Sequence, residues 1–271
     1  MTTRPADTAS REPVSGPLEI ACDESGYEGE KLVGGVTDVF AHASVRMDEE
    51  TAAECIAELR LRIRSPATVY KANHLQRSKH RPVLLWLLGP DGPLLGNARV
   101  HLIDKTYFLV SKLVSSLGAR PELTQFLYDA SRRTAEAQAF MVAANDYLRT
   151  SVTRDPLAPP LDPLLPAIIR AAEYWGGDGQ PVAIAHDRQT TLSAERIERL
   201  RQLAPLAGIQ LVDSFTHRRV QMADFLAGVA RKLASEQLKG TDDTELTALL
   251  RPYVDPRSIW TDKASWARIT R

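Results

Sequence analysis

The sequence predicts a layered α/β fold with a mixed sheet. Three observations predict it. Short runs of β character alternate with helical patterns through most of the chain. The first two extended stretches follow one another with no helix between them, which implies an antiparallel start. Three of the runs close on an aspartate: Asp23, Asp104 and Asp187.

Residues 1–16 are polar, carry two prolines and show no periodicity, so they read as a disordered tail. Residues 17–271 read as one domain. The first strand is expected over 17–23, where Leu18, Ile20 and Cys22 alternate with Glu19, Ala21 and Asp23, and Ser25-Gly26 ends it. The Val-rich stretch 31–47 is expected either as one long bent strand or as two strands of a meander, with Gly34-Gly35 marking a bulge or a close approach. Asp48 is an N-cap for a helix through about Ser65, with Ala52, Ile56, Leu59 and Ile63 on one face. Residues 67–81 carry no clear pattern. A buried helix follows around Val83–Leu88, and then a strand that ends at Asp104.

From about 105 to 175 the pattern is helical, with a break near Gly118–Pro121 and a proline-rich turn, RDPLAPPLDP, at 154–163. Leu123, Phe126, Leu127 and Ala130 fit a buried stripe. Each piece is too short to own a core, so this insertion is expected to bury against the site side of the sheet or against a second subunit in a homodimer. A strand ending at Asp187, a helix over 192–205, a last strand over 208–214 and a helix carrying Asp224 complete the pattern. Trp260 and Trp266 belong to a docking segment.

The chain has 271 residues, 44% of them hydrophobic, which is ample for a core. Its 34 basic and 34 acidic residues cancel, which argues against a strongly basic nucleic-acid binder but leaves room for a local basic groove. The two cysteines, Cys22 and Cys55, read as reduced core thiols of a cytoplasmic protein. The longest apolar run, VLLWLLGP, is too short to span a bilayer, so no membrane partner is expected.

The acids carry the functional reading. Asp23, Asp104 and Asp187 each end a strand, the edge at which open α/β sheets bind ligands. Asp224 sits in VQMADFLAGVARK, where Gln221, Asp224, Gly228 and Arg231 share one stripe and Met222, Phe225, Val229 and Leu233 share an apolar one. Gly228 is expected to let the Asp224 face approach the sheet edge closely. Converging acids need protons or a cation, and oxygen ligands suit Mg2+ or Mn2+. Two such ions activate water and stabilise a leaving oxygen in phosphodiester cleavage. Simpler readings stand beside this one: Asp23 as a turn former, Asp104 and Asp187 as helix or turn caps, and Asp224 as an arginine's ion-pair partner. No cysteine pair accompanies His74 and His80, so zinc is not expected.

The motifs CDESGYEG (22–29), HLIDK (101–105), AHDRQ (185–189) and VQMADFLAG (220–228) together resemble domain-of-unknown-function family 3800, a bacterial family of the RNase H-like (retroviral integrase) superfamily. The likeness spans about residues 17–235. It implies an RNase H-like mixed sheet, with three antiparallel strands and then parallel ones, and an acidic site for a divalent metal. Asp23 would be the first-strand carboxylate, Asp104 the fourth-strand one and Asp224 the last-helix one, with Asp187 or Glu24 assisting. The family pattern Glu-x-Lys is met by Val69-Tyr70-Lys71, which keeps Lys71, a phosphate contact, and has no glutamate. Two expectations follow. One is a divalent-metal-dependent nuclease acting on DNA or RNA; the other is a catalytically silent binding or sensor module on the same fold.

Overall fold

A computed structural model describes residues 16–64, 70–150, 157, 159–177, 179–241 and 243–270. The expected N-terminal tail (apart from Gly16), the Val69 position and part of the proline-rich turn lie outside the described residues. Five strands form one mixed sheet: β1 (Leu18–Ser25), β2 (Val39–Val45), β3 (Ala98–Asp104), β4 (Val182–Asp187) and β5 (Leu206–Val212), in the order β3-β2-β1-β4-β5. β1 and β2, and β2 and β3, are antiparallel; β1 and β4, and β4 and β5, are parallel. The outer side of β3 is covered by bridges from Val254 and Ile259, whereas β5 ends the sheet. Val-rich residues 31–47 therefore supply one strand, and residues before Val39 form a turn in which Gly34 takes a positive φ of 69°.

Strand alternation divides the core in two. Ala41, Ala43 and Val100 face one cluster, which α1 (Glu49–Ile63), α3 (Arg81–Leu88) and α9 (Arg218–Lys239) complete. Ile20, Cys22, Phe40 and Ile103 face the other, completed by α4 (Lys105–Ser116), α6 (Ala135–Thr150) and α7 (Leu164–Gly176). The helical insertion thus covers the sheet face opposite α9. α1 starts where Asp48 accepts a bond from Thr51 N, and it buries the expected Ala52, Ile56, Leu59 and Ile63. α9 buries Met222, Phe225, Val229 and Leu233 as its periodicity requires. The C-terminal helices α10 (Thr244–Leu250) and α11 (Lys263–Thr270) close the first cluster, with Trp260 and Trp266 packed against it. Both cysteines are buried and unpaired. Among the described residues no helix is long and apolar enough to cross a membrane.

Two local expectations need correction. In α5 (Glu122–Ser131) the buried residues are Thr124, Tyr128 and Ser131, while Leu123 and Phe126 are 43% and 67% exposed. The helix is turned by the polar bond that Tyr128 makes, described below. Gly228 does not face the sheet: a Cβ there would overlap Ala72 Cβ on the short helix α2 (Ala72–Leu75). Its missing side chain lets α2 seat on α9, where Gln76 Nε2 also donates to Gly228 O at 2.8 Å. Gly228→Ala is expected to cost about 1–3 kcal/mol by overpacking. Chemical denaturation checks this, and adding Ala72→Gly to the variant should return most of the loss.

Buried ion pairs tie the connecting segments down. Arg196 of α8 (Ala194–Arg201) binds the Asp162 carboxylate and the Thr191 carbonyl. Asp162 also accepts from Leu164 N at 2.9 Å and from the Tyr27 hydroxyl at 3.3 Å. Lys105, 1% exposed, donates to Glu28 Oε1 at 2.9 Å and to Thr37 Oγ1 at 2.6 Å. Burial pushes the Glu28 carboxyl up, but Thr37, Lys105 and two backbone N–H groups outweigh it and bring it down to about 2.

A carboxylate cluster at the sheet edge

β1 carries its two acids to opposite faces. Asp23 turns toward α9 and is 5% exposed; Glu24 turns toward the insertion. Glu24 N donates back to Asp23 Oδ1 at 2.7 Å, which holds the Asp23 carboxylate at the strand exit. β4 runs parallel beside β1, so His186 and Asp187 emerge at the same edge. Asp187 Oδ1 accepts from Ser214 N at 3.0 Å, in the turn after β5. Asp224 comes from α9, and its Oδ2 accepts from Ala72 N at 3.1 Å, at the start of α2. Lys71 precedes α2 and donates from Nζ to Ser214 Oγ at 3.0 Å.

Electrostatics show that Asp23, Glu24, Asp187 and Asp224 form one group. Burial raises the Asp23 carboxyl well above the usual carboxylate range, and the charges of Glu24, Asp224 and Asp187 raise it further. Burial also raises Asp224; Lys71 and Ala72 N oppose this, while Asp187 and Glu24 add to it. Glu24 is raised by burial, against the pull of His186 and of Gln189. Gln189 Nε2 donates to Glu24 Oε1 at 2.6 Å. Asp23 Oδ2 and Glu24 Oε2 are both buried without a hydrogen-bond partner. Leaving two carboxylate oxygens bare in a dry site is costly, so the site is poised to take up protons or a cation.

Asp104 is not part of the group. Its Oδ1 accepts from Tyr107 N at 3.1 Å as the N-cap of α4, and its Oδ2 accepts from the Tyr128 hydroxyl. Arg132 Nη1 donates to the Tyr128 oxygen at 2.8 Å, and its Nη2 donates to Leu238 O. Leu238 lies about four turns along α9 from Asp224. The expected convergence of Asp23, Asp104 and Asp224 therefore fails at Asp104, because the sheet order sets β2 between β3 and β1. Of the simpler readings, the helix cap describes Asp104.

The Asp104 environment makes a separate prediction. Burial raises its carboxyl to about 6, with Tyr128, Tyr107 N and Arg132 opposing. The folded state thus holds this proton more tightly than the unfolded chain does. The stabilisation is full below about 4 and is lost as pH rises to about 6, a loss of about 3 kcal/mol. Asp104→Asn keeps an acceptor for the cap and carries no charge. Measured by urea unfolding, the variant should gain on the wild type between pH 4 and pH 6.5. A gap that does not change with pH would refute this.

Two histidines that sequence patterns did not single out as site residues complete the edge. Cys22 is opposite His186, and Glu24 is opposite His42, so these imidazoles share the Glu24 face. Their Nε2 atoms lie 3.2 Å apart, and His186 Nε2 is 3.7 Å from Glu24 Oε2. His186 Nδ1 faces Asp187 O at 2.9 Å, which places a proton on that nitrogen. Burial, and then His186 and His101, hold His42 well below its ordinary value and so neutral. One hydrogen bond joins the two Nε2 atoms, one of them donating to the other. Only sheet register reveals this pair; His186 beside Asp187 in AHDRQ was its one sequence signal.

Among the described residues, no group of three or more His, Cys, Asp or Glu side chains is arranged to hold a metal ion as it stands. The carboxylates feel one another's charge without closing on one point. Comparison with protein-family profiles, with curated proteins and with solved structures found no match.

Proposed function

We propose that this chain is a divalent-metal-dependent phosphodiesterase acting on nucleic acid, on an RNase H-like fold of the family 3800 type. The observation that carries the reading is the cluster of Asp23, Glu24, Asp187 and Asp224, brought from two parallel strands and a helix to one edge, with two carboxylate oxygens buried and bare. The strand order β3-β2-β1-β4-β5, antiparallel then parallel, supports the fold assignment because it is the arrangement the resemblance implies.

The donor set fits Mg2+ or Mn2+, since all four side chains offer hard oxygens and the bare ones have no hydrogen-bond partner. Asp23, Asp187 and Asp224 would hold the ion, with Glu24 beside them. Such an ion would activate water and stabilise the leaving oxygen of a phosphodiester. The protein's own groups do the rest. Ser214 N fixes Asp187 and Ala72 N fixes Asp224, so neither carboxylate needs to search for its position. Gln189 orients Glu24. Lys71, which donates to Ser214 Oγ, would meet a phosphate oxygen.

The open spacing of the carboxylates favours a second reading, a catalytically inactive binding or sensor module on the same fold. Titration with manganese by calorimetry separates the two, together with cleavage assays on labelled single-stranded and duplex DNA and RNA. Binding that is lost in Asp23→Asn, with metal-dependent cleavage, supports the phosphodiesterase. No heat and no cleavage on any substrate would assign the chain to the module.

A further inference from the structure

We infer that the groove between α1 and the turn after β5 is a binding lane for single-stranded nucleic acid, with Phe215 as the platform for a base and Arg60 and Arg218 as the phosphate contacts. The inference rests on the phosphodiesterase reading for the strand's destination, the carboxylate edge. The groove has a volume of about 720 Å³, and no carboxylate lines it. Ala53, Ile56 and Ala57 of α1 form an apolar wall, and Arg60 and Arg218 supply positive charge. The whole chain is neutral, so a groove whose charged lining residues are two arginines is a local departure from its average.

Phe215 is 58% exposed, yet it is not on a loose loop. Phe215 N donates to Asp213 Oδ1 at 2.9 Å, and the N–H groups of Thr216 and His217 donate to Asp213 O. Gln221 Nε2 donates to Phe215 O at 3.0 Å from within α9. A rigid turn thus holds an aromatic ring out in water, and the hydrophobic cost is recovered when a flat apolar face covers it. Nucleobases have such faces, and they are free to stack on protein in single strands, whereas in a duplex they are stacked on one another.

The lane is continuous with the carboxylate edge. Ser214, the residue before Phe215, donates its N–H to Asp187 and accepts from Lys71. Lys71 Nζ also lies 5.4 Å from the centre of the Phe215 ring. A base on Phe215 therefore sets the neighbouring backbone beside Lys71, Asp187 and Asp224. Arg218 is paired at 3.8 Å with Glu49, an exposed contact that a phosphate can displace.

The test is fluorescence anisotropy of the full chain with short labelled oligothymidylate, oligouridylate and a blunt duplex, in EDTA so that binding is read apart from cleavage. Single strands should bind about tenfold or more tightly than duplex. Phe215→Ala should weaken them about tenfold, from the loss of one stacked base, and Phe215→Trp should restore them. Arg218→Ala should weaken all single-stranded sequences alike and flatten the salt dependence by about one counterion. Thermal melting checks that the variants are folded. The lane is overturned if duplex binds as well as single strand, if Phe215→Ala binds like the wild type, or if no oligonucleotide binds; the groove then fits a protein contact. Manganese-dependent cleavage is read separately. Phe215-dependent binding without cleavage keeps the lane and removes the phosphodiesterase. Cleavage with Phe215-independent binding does the reverse.

Discussion

If the chain is the metal-dependent phosphodiesterase proposed above, Asp224→Asn is expected to slow its manganese-dependent cleavage by about a thousandfold or more, while the protein stays folded. A carboxylate that holds a catalytic ion acts on every charge that develops in the reaction, so its loss is felt in the chemical step. Asparagine keeps an oxygen for Ala72 N, so α2 should remain seated. The sign for stability is also fixed. Burial and neighbouring acids raise the Asp224 carboxyl in the folded state, so its ionised form disfavours folding at pH 7. Removing that charge should leave the melting temperature equal or higher, and the gain should shrink as pH falls and the wild-type carboxyl takes its proton. Wild type and variant assayed side by side decide the matter. Equal cleavage would mean that the activity belongs to a contaminant, and a large fall in melting temperature would mean that Asp224 is a structural acid.

Arg196→Ala is expected to carry the largest stability cost, about 3–5 kcal/mol, because it leaves the Asp162 carboxylate buried without its cation. Asp162 gathers Leu164 N, the Tyr27 hydroxyl and Arg196, which tie α7, the segment after β1 and α8 together. Denaturant unfolding measures the loss. Adding Asp162→Asn keeps an acceptor for Leu164 N, turns an amide N–H toward the Tyr27 hydroxyl oxygen and discharges the site, so it should return more than half. A double variant no better than the single one would show that packing of the arginine stem, not the stranded charge, sets the cost.

Local patterns were legible where one element's own periodicity decided its burial. The stripe of α1 came through because the core contacts that helix on a single face; the apolar stripe of α9 and the strand ends at Asp104 and Asp187 came through as well. Patterns failed where a partner from elsewhere in the chain decided. α5 hides Tyr128 rather than Phe126 because Asp104 and Arg132 claim the phenol. Asp104 ends a strand as expected, but the third rather than the fourth, which ends at Asp187, and strand order, which no local pattern encodes, separates it from Asp224. Gly228 signalled a close approach correctly and named the wrong neighbour. The His42–His186 contact depends on the register of β2 and β4 on either side of β1, so no spacing within one motif exposes it.

The sheet's two margins differ, and this bears on how the protein behaves at high concentration. β3 is shielded by the segments at Val254 and Ile259, but β5 has no strand on its outer side among the described residues, and Leu211 on it is 37% exposed. An uncovered strand is a template for pairing with another chain. The molecule's charges cancel at neutral pH, so no long-range repulsion keeps copies apart. Solubility should therefore be poorest near neutrality and should improve on either side of it. A charged residue introduced at Leu211 is the single change best placed to keep concentrated solutions clear.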